Sequence, residues 1–184
     1  MAGRPRSFDR ETALAAAVEQ FWRNGYEETS ISTLTRAMGI TAPSLYAAFG
    51  DKDHLFEEAS EAYFRRTCEG VEAAAAQPRV HDAISHLLDG TARAHTAPDT
   101  PPGCLMLTEP RLTAQRRAVT AQIKDRLDQG VSDGDLPPGT STAQLASFLV
   151  AVMRGMSGSA RDGADAEELL AIAANAMAVL PPAP

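Results

Sequence analysis

Residues 30–49 read SISTLTRAMGITAPSLYAAF, and this stretch decides the fold. In its first half, apolar side chains recur with helical spacing at Ile31, Leu34 and Met38. Gly39 follows where a helix ends in the left-handed conformation, which glycine adopts at low cost. The first half therefore predicts a short helix that ends in a tight turn.

The second half of the stretch predicts another short helix. Thr41 is a good N-cap, and Pro43 falls in the first turn, where its missing N–H costs nothing. Ala42, Leu45 and Phe49 share the inner face. The outward side chains are Thr41, Pro43, Ser44, Tyr46 and Ala47. Two short helices joined by a glycine turn predict a helix-turn-helix, whose second helix fits a DNA major groove.

The outward side chains suit contact with DNA. Thr41 and Ser44 can hydrogen-bond a phosphate or a base, and Tyr46 can reach a phosphate oxygen. Pro43 and Ala47 can touch a thymine methyl group. The alternative is an ordinary helical corner in an all-α protein, which the same spacing allows.

The flanking residues favour the DNA-binding interpretation. Residues 3–6 read GRPR, an arm whose Arg4 and Arg6 can lie in a minor groove beside the recognition helix. Lys52 starts the next helix, within reach of a phosphate.

With these flanks, the first third of the chain resembles a known family. GRPRSFDRETAL, followed by FWRNGYEETSISTLTRAMGITAPSLYAAFGDKDHLF, is similar to the N-terminal domain of TetR-family transcriptional regulators. The resemblance implies a dimeric regulator, most often a repressor, that binds double-stranded DNA and a small-molecule effector. By this resemblance, the positions that contact operator DNA are Ser30, Thr41, Ala42, Pro43, Ser44, Tyr46 and Lys52.

Composition limits the class of DNA binder. The 184 residues carry a net charge of −7, whereas a general polyanion binder would carry a strongly positive charge. Residues 1–50 hold five arginines and five carboxylates, so they are neutral. No signal peptide or apolar run long enough to span a bilayer is apparent, and we therefore expect a cytoplasmic protein whose two cysteines are reduced.

The rest of the chain predicts further helices and no strands. Residues 1–51 would form the DNA-binding domain, and residues 52–184 would form a helical effector-binding and dimerisation domain. Outside the helix-turn-helix, helices are predicted at residues 10–24, 51–76, 80–96, 110–131, 142–161 and 165–180, with one or two helical turns in GCLMLTEP. Proline-rich loops separate several of them.

The last two helices predict a homodimer through a four-helix bundle on a two-fold axis, because they are too apolar for surface helices. Small residues that would let a partner helix approach are Gly155, Ser157, Gly158, Ser159 and Ala160. A two-fold dimer predicts a palindromic operator. The alternative is packing within one chain.

An effector pocket is expected in the C-terminal half. Its candidate lining residues are Leu88, Cys104, Met106, Leu149 and Met153, and polar groups that can orient a ligand are His86, His95 and Arg154. Leucines and methionines at helical spacing are also ordinary core residues. Cys104 is either a reactive thiol at a helix N-terminus or a small buried hydrophobe.

A different class of function stays open: an all-α ligand-binding protein or an enzyme with an incidental helix-turn-helix. We find no nucleophile–base pair, phosphate-binding loop or metal-ligand spacing. The sequence therefore predicts a protein that is not an enzyme and needs no cofactor or metal.

Overall fold

The computed structural model describes residues 8–182, and all regular secondary structure in that part of the chain is helical. Within it the helices run α1 (Arg10–Asn24), α2 (Ile31–Met38), α3 (Ala42–Phe49), α4 (Lys52–Ala75), α5 (Val80–His95), α6 (Leu105–Thr108), α7 (Thr113–Ser132), α8 (Thr142–Arg161) and α9 (Ala166–Met177). The predicted all-α fold is confirmed.

The chain forms two compact units, and the division falls between Tyr63 and Phe64, within α4. Helix α4 is continuous across that point and is about 36 Å long at 1.5 Å per residue. The functional boundary predicted after residue 51 stays a prediction.

An aromatic cluster forms the core of the first unit. The ring of Phe56 on α4 lies 5.0 Å from both Phe21 and Tyr26, centroid to centroid, in edge-on geometry. Trp22 packs edge-on against Tyr63 at 4.9 Å. Edge-to-face pairs contribute beyond their buried area, so this cluster fixes α1 against the start of α4.

In the second unit, α5 packs against α8 and α9, α7 packs against α8, and α8 packs against α9. Leu88, Leu149 and Leu169 are completely buried between these helices. Gly130 permits the close approach of α7 to the start of α5, because a Cβ there would lie 2.8 Å from Cβ of Val80. The second unit is therefore a close-packed helical bundle.

The structure corrects the predicted start of α7 at Pro110. A 3-10 turn, Pro110–Leu112, comes first, and α7 begins at Thr113. The guanidinium of Arg116 donates to the carbonyl oxygens of Met106 at 2.8 Å and Glu109 at 2.6 Å. These carbonyls lie before the turn, so Arg116 holds the irregular connection that the proline alone could not predict.

The prediction that small residues of α8 form a strip open to a partner helix is wrong at two positions. Ser157 and Ala160 are buried inside the unit, and Ser157 Oγ accepts the N–H of Cys104 at 2.8 Å. A Cβ at Gly103 would lie 2.7 Å from the carbonyl oxygen of Ser157. These small residues therefore serve close packing of α8 within the chain.

Candidate nucleic-acid interface

The turn between α2 and α3 has the geometry that the sequence predicts. Gly39 adopts φ 66° and ψ 27°, in the left-handed region. The N–H of Ile40 then donates to the carbonyl oxygen of Thr35 at 3.1 Å. This closes the end of α2 and lets the chain turn at once into α3, so the helix-turn-helix is confirmed.

Hydroxyl side chains cap both helices. Ser30 Oγ accepts the N–H of Thr33 at 3.0 Å, and Thr41 Oγ1 accepts the N–H of Ser44 at 3.3 Å. The hydroxyls of Thr41 and Ser44 are also 2.9 Å apart. Each cap fixes a hydroxyl oxygen beside the free N–H groups of a helix start, where anions are stabilised.

Helix α3 divides into a buried and an exposed face. Leu45 and Phe49 are buried in the first unit. Pro43 and Ala47 are exposed, and Tyr46 keeps half of its surface accessible. An exposed tyrosine on a small-residue face can contact a partner without unfolding the helix. Ala42 and Ser44 are half-buried between the two faces.

Lys52 is the first residue of α4 and is half-buried. Asp51 caps this helix, because its Oδ1 accepts the N–H of His54 at 2.9 Å. That hydrogen bond lowers the pKa of the Asp51 carboxyl below its ordinary value. Lys52 therefore stands at a third capped helix start, like Ser30 and Thr41.

The sequence did not predict two residues that support the helix-turn-helix and Lys52. Tyr26 places its ring under the ammonium of Lys52, at 4.0 Å from the ring centroid. Arg10 Nη2 donates to both carboxylate oxygens of Glu58 at 2.8 Å and lies against the end of α3, at 3.3 Å from the carbonyl oxygen of Ala48. No local motif signals either contact, since each joins residues that are far apart in the chain. The predicted arm residues, Arg4 and Arg6, lie outside the described residues.

The candidate effector residues belong to the core of the second unit. All five are buried: Leu88, Cys104, Met106, Leu149 and Met153. Of the polar candidates, His86 and Arg154 are exposed and His95 is buried. Burial, with Arg161 nearby, lowers the pKa of His95 to about 4, so this imidazole is neutral at physiological pH.

Concave features of the second unit include a small cavity and an open groove. The cavity, of about 10 Å³, lies between α4, α5 and α7 and is bordered by Gln122 and Arg126. The groove, of about 460 Å³, lies between α6 and α8 and is lined by Leu107, Thr108, Ala151, Arg154 and Gly155. Neither is lined by the five candidate effector residues.

Comparison with known proteins identifies the family. The model of the family "Bacterial regulatory proteins, tetR family" matches residues 13–59. The repressor ComR of Escherichia coli K12 is 35% identical over 193 aligned residues, which cover 97% of this chain and 92% of ComR. The chain belongs to the TetR family. A second relative of this TetR-family protein, the repressor BdcR of Escherichia coli K12, is 31% identical over 95% of the chain and 90% of BdcR.

Solved structures agree with this assignment. A cysteine mutant of the TetR-family regulator CifR, in complex with a 26-base-pair operator, superposes with a TM-score of 0.92 and 36% identity. The match covers 97% of this chain and 100% of the CifR chain. A TetR regulator from Rhodococcus sp. RHA1 is 39% identical, with a TM-score of 0.63, over 94% of this chain and 100% of that one. This TetR-family protein is a DNA-binding transcriptional regulator.

In the range 8–182, every helix is too short or too polar to cross a membrane.

Proposed function

We propose that this TetR-family regulator is a repressor that binds a palindromic operator as a homodimer and releases it when a small molecule binds. The exposed face of α3, with Tyr46 half accessible beside small residues, is the observation that supports operator binding most directly. ComR and BdcR are named repressors, and CifR is described in complex with operator DNA. Because it acts on the chromosome, we place the protein in the cytoplasm.

The proposed DNA contacts divide by chemistry. Ser30, Thr41 and Lys52 lie at the starts of α2, α3 and α4, where capped N-termini favour phosphate oxygens. The contacts assigned to the face of α3 and its first turn are Ala42, Pro43, Ser44 and Tyr46. Phosphate contacts set the register, and base contacts set the sequence preference.

Arg4 and Arg6 are proposed to follow the minor groove. Each phosphate that they neutralise contributes about 0.9 to the salt slope of binding. A protein truncated by residues 1–6 should therefore bind with a smaller slope, and an unchanged slope would remove the arm from the interface.

The homodimer is proposed to form through α8 and α9. Phe148 on α8 and Ile172 on α9 are large apolar side chains that stay exposed at 38% and 36%. A Cβ at Gly155 meets nothing within 4 Å, so a partner helix can approach α8 there. A bundle of two helices from each subunit would cover these side chains. Ile172→Glu should give a monomer by light scattering, whereas Ala114→Glu, at an exposed position of α7, should stay dimeric.

Effector release is proposed to act through α4, which is shared by the two compact units. The ligand must bind more tightly to the form with low DNA affinity, since a ligand of equal affinity for both forms shifts nothing. Leu88, Cys104, Met106, Leu149 and Met153 remain the effector residues predicted from sequence. A dimer that keeps full operator affinity when saturated with its ligand would refute this mechanism.

The deciding experiment is fluorescence anisotropy with the DNA upstream of this protein's gene and a scrambled duplex, across a salt series. Tight binding to the upstream DNA and weak binding to the scrambled duplex would support a sequence-specific regulator. If both are bound weakly and equally, selection from random duplexes follows. Failure to select any sequence would contradict operator binding and favour the ligand-carrier or enzyme alternative.

A further inference from the structure

Arg10 is the first residue of α1, where a positive charge is unfavourable. The positive end of the helix macrodipole lies at this point, and Glu11 in the same turn carries the favourable sign. Asp9 caps α1 without Arg10, because its carboxylate accepts the N–H groups of Glu11 at 2.9 Å and Thr12 at 3.3 Å. Arg10 therefore does not stabilise the start of its own helix, and its contacts with other helices account for its position.

The side chain of Arg10 joins α1 to the end of α3 and to α4, all within the first compact unit. Its Nη2 donates to the carbonyl oxygen of Ala48 at 3.3 Å and to both carboxylate oxygens of Glu58 at 2.8 Å. The central guanidinium carbon lies 4.4 Å from the centre of the Phe49 ring. Phe49 is the last residue of α3 and is buried. The cation thus lies over a ring that the core holds in place.

Helix α3, Ala42–Phe49, contains no basic residue. The last carbonyls of a helix have no partner within the helix, and a cation beside them is favourable because the negative end of the macrodipole lies there. The N–H of Gly50 donates to the carbonyl oxygen of Tyr46 at 3.0 Å. Arg10 reaches the carbonyl oxygen of Ala48 from 38 residues away. It supplies the cation that the sequence of α3 lacks.

Contacts at the two ends of α3 define its direction. At the start, the Gly39 turn and the Thr41 cap hold the helix, and at the end Arg10 holds it. With eight residues, α3 is about 12 Å long, so a tilt of about 5° moves one end by about 1 Å. Hydrogen bonds to base edges tolerate only a few tenths of an ångström, whereas the attraction of phosphates is long-ranged. A change in the direction of α3 therefore affects base contacts most.

We propose that Arg10 is a positioning residue for operator recognition, whose guanidinium sets the direction in which α3 presents its exposed face. The contacts with Ala48 and Phe49 hold the end of α3, and the ion pair with Glu58 holds the guanidinium there. Arg10 acts through α3 and not by contact with DNA. This inference rests on the proposed operator binding and adds the residue that aligns the reading helix.

The test compares three variants of the full-length protein. Arg10→Met/Glu58→Gln removes the contacts with α3 and keeps the net charge, because one charge of each sign is lost. Glu58→Gln keeps Arg10 and its contacts with α3. Arg23→Met/Glu19→Gln is the matched control, because it removes another half-exposed ion pair of α1, with Nη2 of Arg23 2.7 Å from Oε1 of Glu19.

Fluorescence anisotropy measures the affinity of each protein for the operator duplex and for a scrambled duplex, across a salt series. Arg10→Met/Glu58→Gln should bind the operator about tenfold more weakly, the loss expected from one misplaced base contact. Its affinity for the scrambled duplex and its salt slope should not change, because its phosphate contacts remain. The ratio of the two affinities should stay at the wild-type value in Glu58→Gln and in Arg23→Met/Glu19→Gln.

Three results would overturn the positioning role. Wild-type operator affinity in Arg10→Met/Glu58→Gln would leave Arg10 with a structural role only. An equal loss for both duplexes, with a salt slope shallower by about 0.9, would show that Arg10 contacts a phosphate directly. A fall of the affinity ratio in Glu58→Gln as large as in Arg10→Met/Glu58→Gln would assign the effect to Glu58.

Residual dipolar couplings of the backbone amides, measured without DNA, separate this inference from the proposed function. In Arg10→Met/Glu58→Gln, the couplings of α3 should no longer fit the wild-type orientation relative to α1, while those of α1 and α2 still fit one another. A substitution that only lowered stability would leave the couplings of the folded protein unchanged, and that result would overturn the inference. If the wild type selects no DNA sequence but α3 reorients in the variant, the proposed function fails and the role of Arg10 in aligning α3 stands.

Discussion

The ammonium of Lys52 lies 4.0 Å from the centre of the Tyr26 ring, and the Tyr26 hydroxyl donates to Asp53 Oδ1 at 2.8 Å. A cation over an aromatic face at a partly exposed site is stabilised by about 0.5–1 kcal/mol. One buried tyrosine therefore positions both a cation and a carboxylate in the first turn of α4. This places the charge of Lys52 at a defined point beside the helix-turn-helix.

Lys52→Ala should weaken binding to every duplex by a similar factor, because a phosphate contact carries no sequence information. The slope of log affinity against log salt should become shallower by about 0.9, as expected for one phosphate. Anisotropy across a salt series measures both quantities. Arg66→Ala, at an exposed arginine further along α4, is the control and should keep the slope. An unchanged slope for Lys52→Ala would exclude this lysine from the interface.

Tyr46→Ala should weaken operator binding while the protein stays folded and dimeric. Half of this side chain is exposed on α3, so its removal should change the free energy of unfolding by no more than about 0.5 kcal/mol. Anisotropy measures affinity, and chemical denaturation measures stability. Tyr46→Phe removes the hydroxyl and keeps the ring, so its operator affinity should fall only if the hydroxyl binds DNA. Wild-type affinity in Tyr46→Ala would show that this face of α3 is not the reading face.

Local signals in the sequence were enough to predict the helix-turn-helix. Gly39, Thr41 and Pro43 each act within one turn of their own position, through backbone conformation or a cap. Periodicity at Leu34 and Leu45 then identified the buried faces, and both residues are completely buried. The exposed side of α3, which we propose faces DNA, follows from these predictions, because it is the remaining side of a short helix.

Contacts between distant parts of the chain could not be predicted in this way. Arg126 caps α4 from 51 residues away, and Ser157 binds the Cys104 N–H from 53 residues away. An arginine or a serine in the sequence does not predict a hydrogen bond to a distant residue, since both residue types are common on exposed helix faces. The small residues of α8 illustrate the same limit: their size predicted close packing, but only the fold shows that Ser157 packs within the chain.

Gly39→Ala should lower the free energy of unfolding by about 1–2 kcal/mol, the cost of a left-handed backbone at a residue with a Cβ. Steric contact adds nothing to this loss of stability, because a Cβ at Gly39 would meet no atom within 4 Å. Gly70 is the matched control: it lies in α4, with open space around its Cβ position. Gly70→Ala should raise stability by about 0.5–1 kcal/mol, since alanine is the better helix former. Equal effects of the two substitutions, measured by chemical denaturation at one protein concentration, would contradict the assigned turn.

His95 supplies a pH dependence with a defined sign. Burial is the main cause that lowers the pKa of His95 from 6.5 to about 4 in the folded protein, and the positive charge of Arg161 adds to it. The unfolded chain therefore binds a proton at a pH where the folded protein does not. The contribution of His95 to the free energy of unfolding is present above pH 6.5 and is lost as the pH falls towards 4. The carboxyls of Asp9 and Asp51 also have lowered pKa values, but their contributions are lost only below about pH 4.

Between pH 7 and pH 4.5, the free energy of unfolding should therefore fall, and the part due to His95 is at most about 3 kcal/mol. Urea denaturation at a series of pH values and one protein concentration measures it, since the stability of a dimer depends on concentration. His95→Leu removes the titrating group and should flatten the dependence, whatever its effect on stability at pH 7. His86→Gln, at an exposed position of the same helix, is the control and should keep the wild-type slope. If His95→Leu keeps the full slope, the imidazole is protonated as readily in the folded protein as in the unfolded chain, and its burial does not control the acid sensitivity of the fold.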